Sequence, residues 1–209
     1  MKAQGNQPIA LFKRHPRTDP KSLVMHNQVY RLGELSEAYY ESAVVISSKF
    51  DGQATSDTFL LPYLFLMRHA FELSLKDGII VLKKVRIEHF AADPEVAFNY
   101  MSPIDYVTDI GHNLMKLFNE FKREYNSFDF MDKFPKGVET ALNLLHQADK
   151  SSTEFRYGTE PQDEPSYIDS ASLCAELSTQ FQKLSTVIDY ACGTCSYLPI
   201  ARYQGSVNV

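Results

Sequence analysis

The stretch from Thr58 to Val85 is apolar on nearly every side of a helix, so it must lie at the centre of whatever the chain folds into. The same stretch carries Arg68, Glu72 and Lys76 one turn apart along a single stripe. At about 100° per residue, this stripe points the same way as an apolar set. That set consists of Leu61, Leu64, Phe65, Leu75 and Ile79.

Ionic groups placed on an apolar face need partners, because removing a carboxylate or a guanidinium from water is costly unless hydrogen-bonded counterparts are supplied. Two interpretations are open. The stripe is part of a functional site, since such sites commonly tolerate this cost, or it is an internal ion pair that only fixes the register of the helix.

The rest of the chain has the periodicity of helices. Apolar residues at three- and four-residue steps predict a first long helix over Ser22 to Phe50. A turn-forming cluster at 51–55 follows, and Ser56 or Asp57 is the expected cap of the central helix. The two long helices therefore form an antiparallel hairpin.

Three further helices are predicted beyond the hairpin. After a connection that runs to about Thr108, we expect a helix capped by Asp109, one with Pro135 in its first turn, and a last one after a surface loop over Ser151 to Tyr167. Their expected ranges are 109–125, 134–150 and 169–190. No strand pattern or internal repeat is found, so the fold class is all-α, an antiparallel bundle of about five main helices.

The 209 residues are expected to fold as one domain over residues 22–190, after a basic, poorly structured arm at 1–21 and before a tail at 191–209. A net charge of −5 argues against broad, charge-driven nucleic-acid binding, although a local basic patch remains open. No secretory signal or membrane-spanning stretch is apparent, which predicts a cytoplasmic protein without membrane contact.

Signals for metals and cofactors are weak. Cys192 and Cys195 form a single Cys-x-x-Cys pair after the last predicted helix, where Gly193 would be a helix cap, and incidental thiols are the favoured interpretation. An acidic loop with Glu160, Asp163, Glu164 and Asp169 fits no calcium-binding spacing. We predict no cofactor and no metal site.

Three short strings have the order and spacing of a known group. They are Arg68 to Lys76 with the sequence RHAFELSLK, Gly111 to Leu114 with GHNL, and Phe155 to Gly158 with FRYG. Together they resemble the HEPN-like helical-bundle proteins of prokaryotes, over about Ser22 to Tyr190. This resemblance implies a homodimer from a toxin–antitoxin, phage-defence or RNA-processing system, with a possible partner protein from a neighbouring gene.

Many members of that superfamily are metal-independent ribonucleases, whose motif is an Arg followed after four to six residues by a His. This chain lacks that motif, since Arg68-His69 and the pair Arg86 and His89 are too close. The fold would then serve binding of RNA or a nucleotide, or the chemistry would come from residues distant in sequence.

For the second case, Arg68 and Arg156 would hold a phosphate, His112 would move a proton and Glu72 would orient an arginine. We assign substrate contacts to Lys76, His69, Asn113 and Tyr157. The alternative is a non-catalytic dimeric interaction or sensor module. In it Glu72 pairs with Arg156, Tyr157 packs its ring, and His112 donates to a nearby carbonyl. Binding of a small ligand beside the central helix is a third possibility.

Overall fold

Two long antiparallel helices form the centre of the computed structural model, which describes residues 31–90, 102–128, 130, 133–158 and 167–194. Helix α1 covers Leu32–Ser47 and helix α2 covers Leu60–Phe90, with a 3-10 helix at Ala54–Phe59 between them. The Ser36 hydroxyl donates to the Ala70 carbonyl at 2.8 Å, and the rings of Phe50 and Tyr63 lie 5.8 Å apart. These contacts confirm the predicted hairpin.

Five more α-helices complete the described part of the chain, which contains no strand. They are α3 at Pro103–Ile110, α4 at Leu114–Asn126, α5 at Lys136–Ala148, α6 at Glu154–Tyr157 and α7 at Ser170–Thr194. The all-α prediction is therefore confirmed for these residues.

Helix α2 is the hub of the bundle, since each of the other six α-helices packs against it. Its apolar side chains are fully buried at Tyr63, Met67, Phe71, Leu75 and Ile79. Around them lie apolar residues of α4, α5 and α7, such as Phe118, Leu142 and Phe181. A helix with apolar residues on most sides is covered on most sides, as its sequence requires.

Several predicted helix ends are wrong. Helix α1 ends at Ser47 rather than Phe50, and its predicted part over residues 22–30 lies outside the described residues. Ser56 and Asp57 do not cap α2, because both lie inside the 3-10 helix, whose N-cap is Gln53. Pro135 precedes α5 as its N-cap.

The segment around residue 110 departs most from the prediction. The expected loop up to Thr108 contains α3, and Asp109 lies in that helix instead of capping the next one. Asn113 is the N-cap of α4, with its side-chain oxygen accepting the Lys116 N–H at 2.9 Å. Asn113 is the cap because its side chain accepts a backbone N–H that has no partner within the helix.

The last helix is longer than predicted. It continues through Thr194, so Gly193 lies within α7 and the predicted tail does not begin at residue 191. The short helix α6 also lies inside the expected loop over 151–167. All described residues belong to one compact unit that begins at Arg31, and the predicted arm at 1–21 lies outside them. None of their helices has the length and apolarity needed to cross a membrane.

Candidate functional site

Arg68 lies buried in the middle of α2, with only 4% of its surface exposed, and each of its nitrogens meets a partner. Its Nη1 donates to Glu72 at 3.2 Å, and its Nε lies 3.1 Å from the Asp149 carboxylate at an angle too bent for a hydrogen bond. Its Nη2 donates to the His112 carbonyl at 2.9 Å and to the Ser152 hydroxyl at 2.5 Å. One guanidinium thus joins α2 to two separate connections.

Glu72 is the second centre of this cluster and is 1% exposed. Besides Arg68, its carboxylate accepts a hydrogen bond from Lys76 Nζ at 2.9 Å and lies 2.7 Å from His112 Nδ1. Burial raises the pKa of Glu72, but hydrogen bonds and charge from Lys76 and His112 outweigh it and lower that pKa below its ordinary value. Glu72 is therefore ionised at neutral pH.

His112 stands in the turn between α3 and α4, with 68% of its side chain exposed. Gly111 precedes it with a φ of 71°, a conformation that glycine adopts without a steric penalty. Because ionised Glu72 only accepts hydrogen bonds, His112 Nδ1 carries the proton that joins them. When the imidazole carries this proton alone, its Nε2 is a proton acceptor.

The connection after α5 supplies the other half of the cluster. Asp149, 1% exposed, ends α5 and accepts the Glu154 N–H at 2.9 Å. Ser152 has a φ of 64°, unusual for a residue other than glycine, and its hydroxyl lies 3.3 Å from the His112 carbonyl. Arg156 Nε donates to the Ser152 carbonyl at 2.9 Å, so Arg156 is linked to the cluster through Ser152.

The remaining predicted residues lie at the edge of this group. His69 is half-buried, with its ring edge-on to Tyr39 at 4.4 Å, and burial lowers the pKa of His69 below its ordinary value. Arg156 is an exposed residue, and its guanidinium lies 5.8 Å from the centre of the Phe65 ring. Tyr157 is 81% exposed.

The structure brings four of the eight predicted site residues into direct contact, namely Arg68, Glu72, Lys76 and His112. Arg156 joins them through Ser152, while Asn113 caps α4 with its side chain. Three details of the structural alternative are wrong. Glu72 does not pair with Arg156, which binds a carbonyl instead, Tyr157 does not pack its ring inside, and the His112 imidazole meets a carboxylate instead of a carbonyl.

Sequence reasoning missed Asp149 and Ser152. A buried arginine in the central helix was a signal that a second carboxylate must reach it, but several acidic residues lie in connections and no spacing rule separates them. The left-handed conformation of Ser152 depends on tertiary contacts, so the sequence offers no sign of it.

A second buried ionic cluster was also missed. Glu124 on α4 is fully buried and lies 3.0 Å from Lys83 Nζ and 2.5 Å from Arg86 Nη2, both on α2. Glu120, one turn earlier, lies 3.1 Å from Lys83 Nζ. The spacing of Lys83 and Arg86 with Glu120 and Glu124 was the available signal. This cluster ties α4 to the C-terminal half of α2, away from His112.

Within the described ranges, no group of three or more His, Cys, Asp or Glu side chains is arranged to hold a metal ion. Asp169, from the acidic loop, accepts the Ser172 N–H at 3.1 Å at the start of α7. No family model, no curated protein and no solved structure matches this chain. Its function must therefore be argued from the cluster itself.

Proposed function

We propose that this chain is a HEPN-like protein of a prokaryotic defence or stress system that binds RNA at the surface around His112 and cleaves it without a metal. In this proposal His112 is the catalytic residue, Glu72 and Arg68 are positioning residues, and Arg156 with Lys76 supplies positive charge. The resemblance of the three sequence strings supports the family, and the geometry around His112 supports the chemistry.

The observation that carries the proposal is the pairing of an exposed imidazole with a buried carboxylate. His112 Nδ1 lies 2.7 Å from Glu72 Oε1, while 68% of the His112 side chain is accessible to solvent. A carboxylate held in this way fixes the tautomer and the orientation of the ring, and it stabilises the imidazolium that forms when the ring takes up a proton. A histidine that only braced the fold would not need a ring that is accessible to solvent.

The proposed reaction uses the 2′-hydroxyl of the RNA as the nucleophile. His112 Nε2 takes the proton of the 2′-hydroxyl while the 2′-oxygen attacks the adjacent phosphorus. The bond from phosphorus to the 5′-oxygen then breaks. The 5′-oxygen takes a proton from solvent. The products are a 2′,3′-cyclic phosphate and a 5′-hydroxyl end. Arg156 is suited to stabilise the charge that develops on the phosphate oxygens, because it is a cationic residue exposed at this surface.

The test is cleavage of end-labelled single-stranded RNA by the purified full chain in the presence of EDTA. We expect cyclic phosphate ends, no cleavage of the same sequence made with 2′-deoxyribose, and a rate about 10²–10⁴-fold lower for His112→Ala. Arg156→Ala should lower the rate with little change in melting temperature, since Arg156 is an exposed residue.

Matched controls separate chemistry from folding. His146→Ala removes a histidine in the last turn of α5, outside the cluster of Arg68, Glu72 and His112, and should leave cleavage unchanged. Glu124→Gln removes the charge of another fully buried carboxylate that forms ion pairs, so it should resemble Glu72→Gln in its loss of stability but not in its loss of cleavage. If wild-type protein leaves RNA intact, or if His112→Ala cleaves as fast as wild type, the proposed chemistry is wrong.

A second candidate function rests on the burial of Arg68. Because protein groups occupy all of its nitrogens, Arg68 is better suited to brace the connections around His112 and Ser152 than to bind a phosphate. This favours a non-catalytic dimeric interaction or sensor module, in which RNA or a nucleotide binds at the same surface without being cleaved. Native mass spectrometry of the freshly purified protein would reveal both a homodimer and a retained nucleotide.

A further inference from the structure

A small acidic groove lies on another face of the bundle, between α1, α2 and α7. Its volume is about 290 Å³, and its lining includes the carboxylates of Glu34, Glu37, Asp77 and Asp189. Ser74 and Ile188 form part of its buried floor, while Glu34, Glu37 and Asp189 are exposed at its rim. The groove is formed by residues that the sequence analysis did not single out.

The negative charge of this groove is poorly compensated. Within the described part of the chain, no Lys, Arg or His forms an ion pair with any of its four carboxylates. Burial, followed by the charges of Glu41 and Asp189, raises the pKa of Glu37. Burial also raises the pKa of Asp77, although the Gly33 N–H and the charges of Arg31 and Lys84 oppose the rise. A bound cation would relieve this repulsion.

The hydroxyl of Ser74 is an independent sign of a ligand. Ser74 is only 6% exposed and lines the groove, yet no described residue gives its hydroxyl a hydrogen bond. Serines within helices commonly donate to the carbonyl one turn back, as Ser42 does to Ala38 at 2.7 Å. The Ser74 side chain thus lines the groove with a hydroxyl that no described protein group uses, and this hydroxyl is available to a ligand.

Asp77 is held in place for such a ligand. A Cβ atom at Gly33 would lie 2.8 Å from Asp77 Oδ2, so only glycine at this position lets the carboxylate approach the backbone of α1. The Gly33 N–H lowers the pKa of Asp77, as expected for a backbone donor close to the carboxylate. The lack of a side chain at Gly33 therefore leaves Asp77 close to the backbone of α1, where it lines the groove.

The arrangement does not suit a metal ion. No group of three or more acidic, His or Cys side chains in the described residues can hold one, so the four carboxylates are spread along the groove instead of converging on one point. Spread carboxylates, a hydroxyl at the base and an apolar wall from Ile188 match a short chain of methylenes with an ammonium group at each end. The volume equals that of about ten water molecules, enough for such a chain and some water.

We propose that the groove between α1, α2 and α7 binds a short aliphatic diamine or polyamine, with one ammonium between Asp77 and the Ser74 hydroxyl and the other near Asp189 or Glu37. This site is separate from the proposed RNA surface, and the proposal does not depend on RNA cleavage.

The experiment is calorimetric titration of the full chain with 1,4-diaminobutane at low ionic strength. Butylamine, which has one ammonium, and MgCl₂ at matched ionic strength are the comparison ligands. We expect saturable binding of the diamine, with about tenfold weaker binding of butylamine. Asp77→Asn should weaken diamine binding about ten- to hundredfold, because it removes a charged acceptor. Asp189→Asn, an exposed position that leaves the fold intact, should also weaken it.

Asp57→Asn is the matched control, since it removes an exposed carboxylate from the 3-10 helix outside the groove. It should bind the diamine as wild type does, and Ser74→Ala should bind it more weakly. The proposal is overturned if the diamine gives no saturable signal, if MgCl₂ binds equally well, or if binding is the same in Asp77→Asn and Asp189→Asn as in Asp57→Asn.

Discussion

Arg68 Nε, in the middle of α2, lies 3.1 Å from Asp149 Oδ2 at the end of α5, and both side chains are almost completely buried. This contact and the bond from Arg68 to Glu72 place one guanidinium between two carboxylates. Their charges offset the cost of burial only if the geometry stays intact. The surface around His112 therefore depends on a buried network that is itself closed to ligands.

Removal of Arg68 should be far more damaging than removal of an exposed arginine. We expect Arg68→Ala to lower the free energy of unfolding by about 3–5 kcal/mol, because it leaves Glu72 and Asp149 buried with less compensation. Arg123 is 64% exposed although it pairs with Glu120, so Arg123→Ala should cost only about 0–1 kcal/mol. Urea unfolding of both variants measures the difference, and equal losses would show that the Arg68 network adds little stability.

Ser152 has a strained backbone conformation and a hydroxyl that accepts a hydrogen bond from Arg68. Two substitutions separate the effects of these two features on stability. Ser152→Ala removes the partner of Arg68 Nη2 but keeps a side chain at the φ of 64°, whereas Ser152→Gly removes the hydroxyl and relieves the strain. We expect the glycine variant to be more stable than the alanine variant by about 1 kcal/mol, and both to be less stable than wild type. Thermal unfolding gives this order, and an alanine variant at least as stable as the glycine variant would exclude strain at this position.

The sequence predicted the parts of the fold that depend on periodicity. The long stripe of apolar residues in α2 and the regular spacing in α4, α5 and α7 identified the helices, since burial of one helix face follows directly from these patterns. Helix ends were less predictable. Asp109 and Asn113 both have capping side chains, but Asp109 lies within α3 and only Asn113 stands at the start of α4.

Only the part of the candidate site that lies on helix α2 was predictable from the sequence. Arg68, Glu72 and Lys76 share one face of a helix, so their proximity follows from helix geometry. The resemblance of short strings singled out His112, but the sequence analysis gave Glu72 an arginine as its partner, so the contact between Glu72 and His112 was not predicted. Asp149 and Ser152 reach Arg68 from a connection whose path is set by the whole bundle, and no local rule indicates that path.

Stability should depend on pH through Glu72. Its pKa in the folded protein lies below the ordinary value of 4.5, because Lys76 and His112 favour the ionised form more than burial opposes it. The stabilisation is thus present above pH 4.5 and is lost as the pH falls through the lowered folded pKa. Urea unfolding between neutral pH and pH 3 should show a steeper decline for wild type than for Glu72→Gln. Parallel declines would contradict this assignment.

Two glycines within helices should respond to alanine in opposite ways. At Gly78 a Cβ atom would lie 2.6 Å from the Phe121 ring and 3.2 Å from Ile188, so overpacking should outweigh the gain in helix propensity and cost about 1–3 kcal/mol. At Gly193 nothing lies within 4 Å, and alanine should stabilise by up to about 1 kcal/mol. Melting temperatures of the two variants test this, and a gain at Gly78 would mean that α4 does not approach α2 so closely.

For Asp77 in the acidic groove, the expected dependence of stability on pH is opposite to that for Glu72. The pKa of Asp77 is raised by burial and by Asp189, beyond what the Gly33 N–H, Arg31 and Lys84 offset, so ionised Asp77 is less favourable in the folded protein than in the unfolded chain. This penalty is absent below the ordinary pKa of 3.8 and develops as the pH rises through the raised folded pKa. Asp77→Asn keeps an oxygen that can accept the Gly33 N–H but carries no charge. At neutral pH it should therefore melt at a temperature equal to or above that of wild type, and the difference should shrink as the pH is lowered towards 3.8.

Adding 1,4-diaminobutane at neutral pH should raise the melting temperature of wild type and not that of Asp77→Asn, because only the ionised carboxylate binds the ammonium strongly. A variant that is markedly less stable than wild type at neutral pH would show that Asp77 serves the fold instead of a ligand.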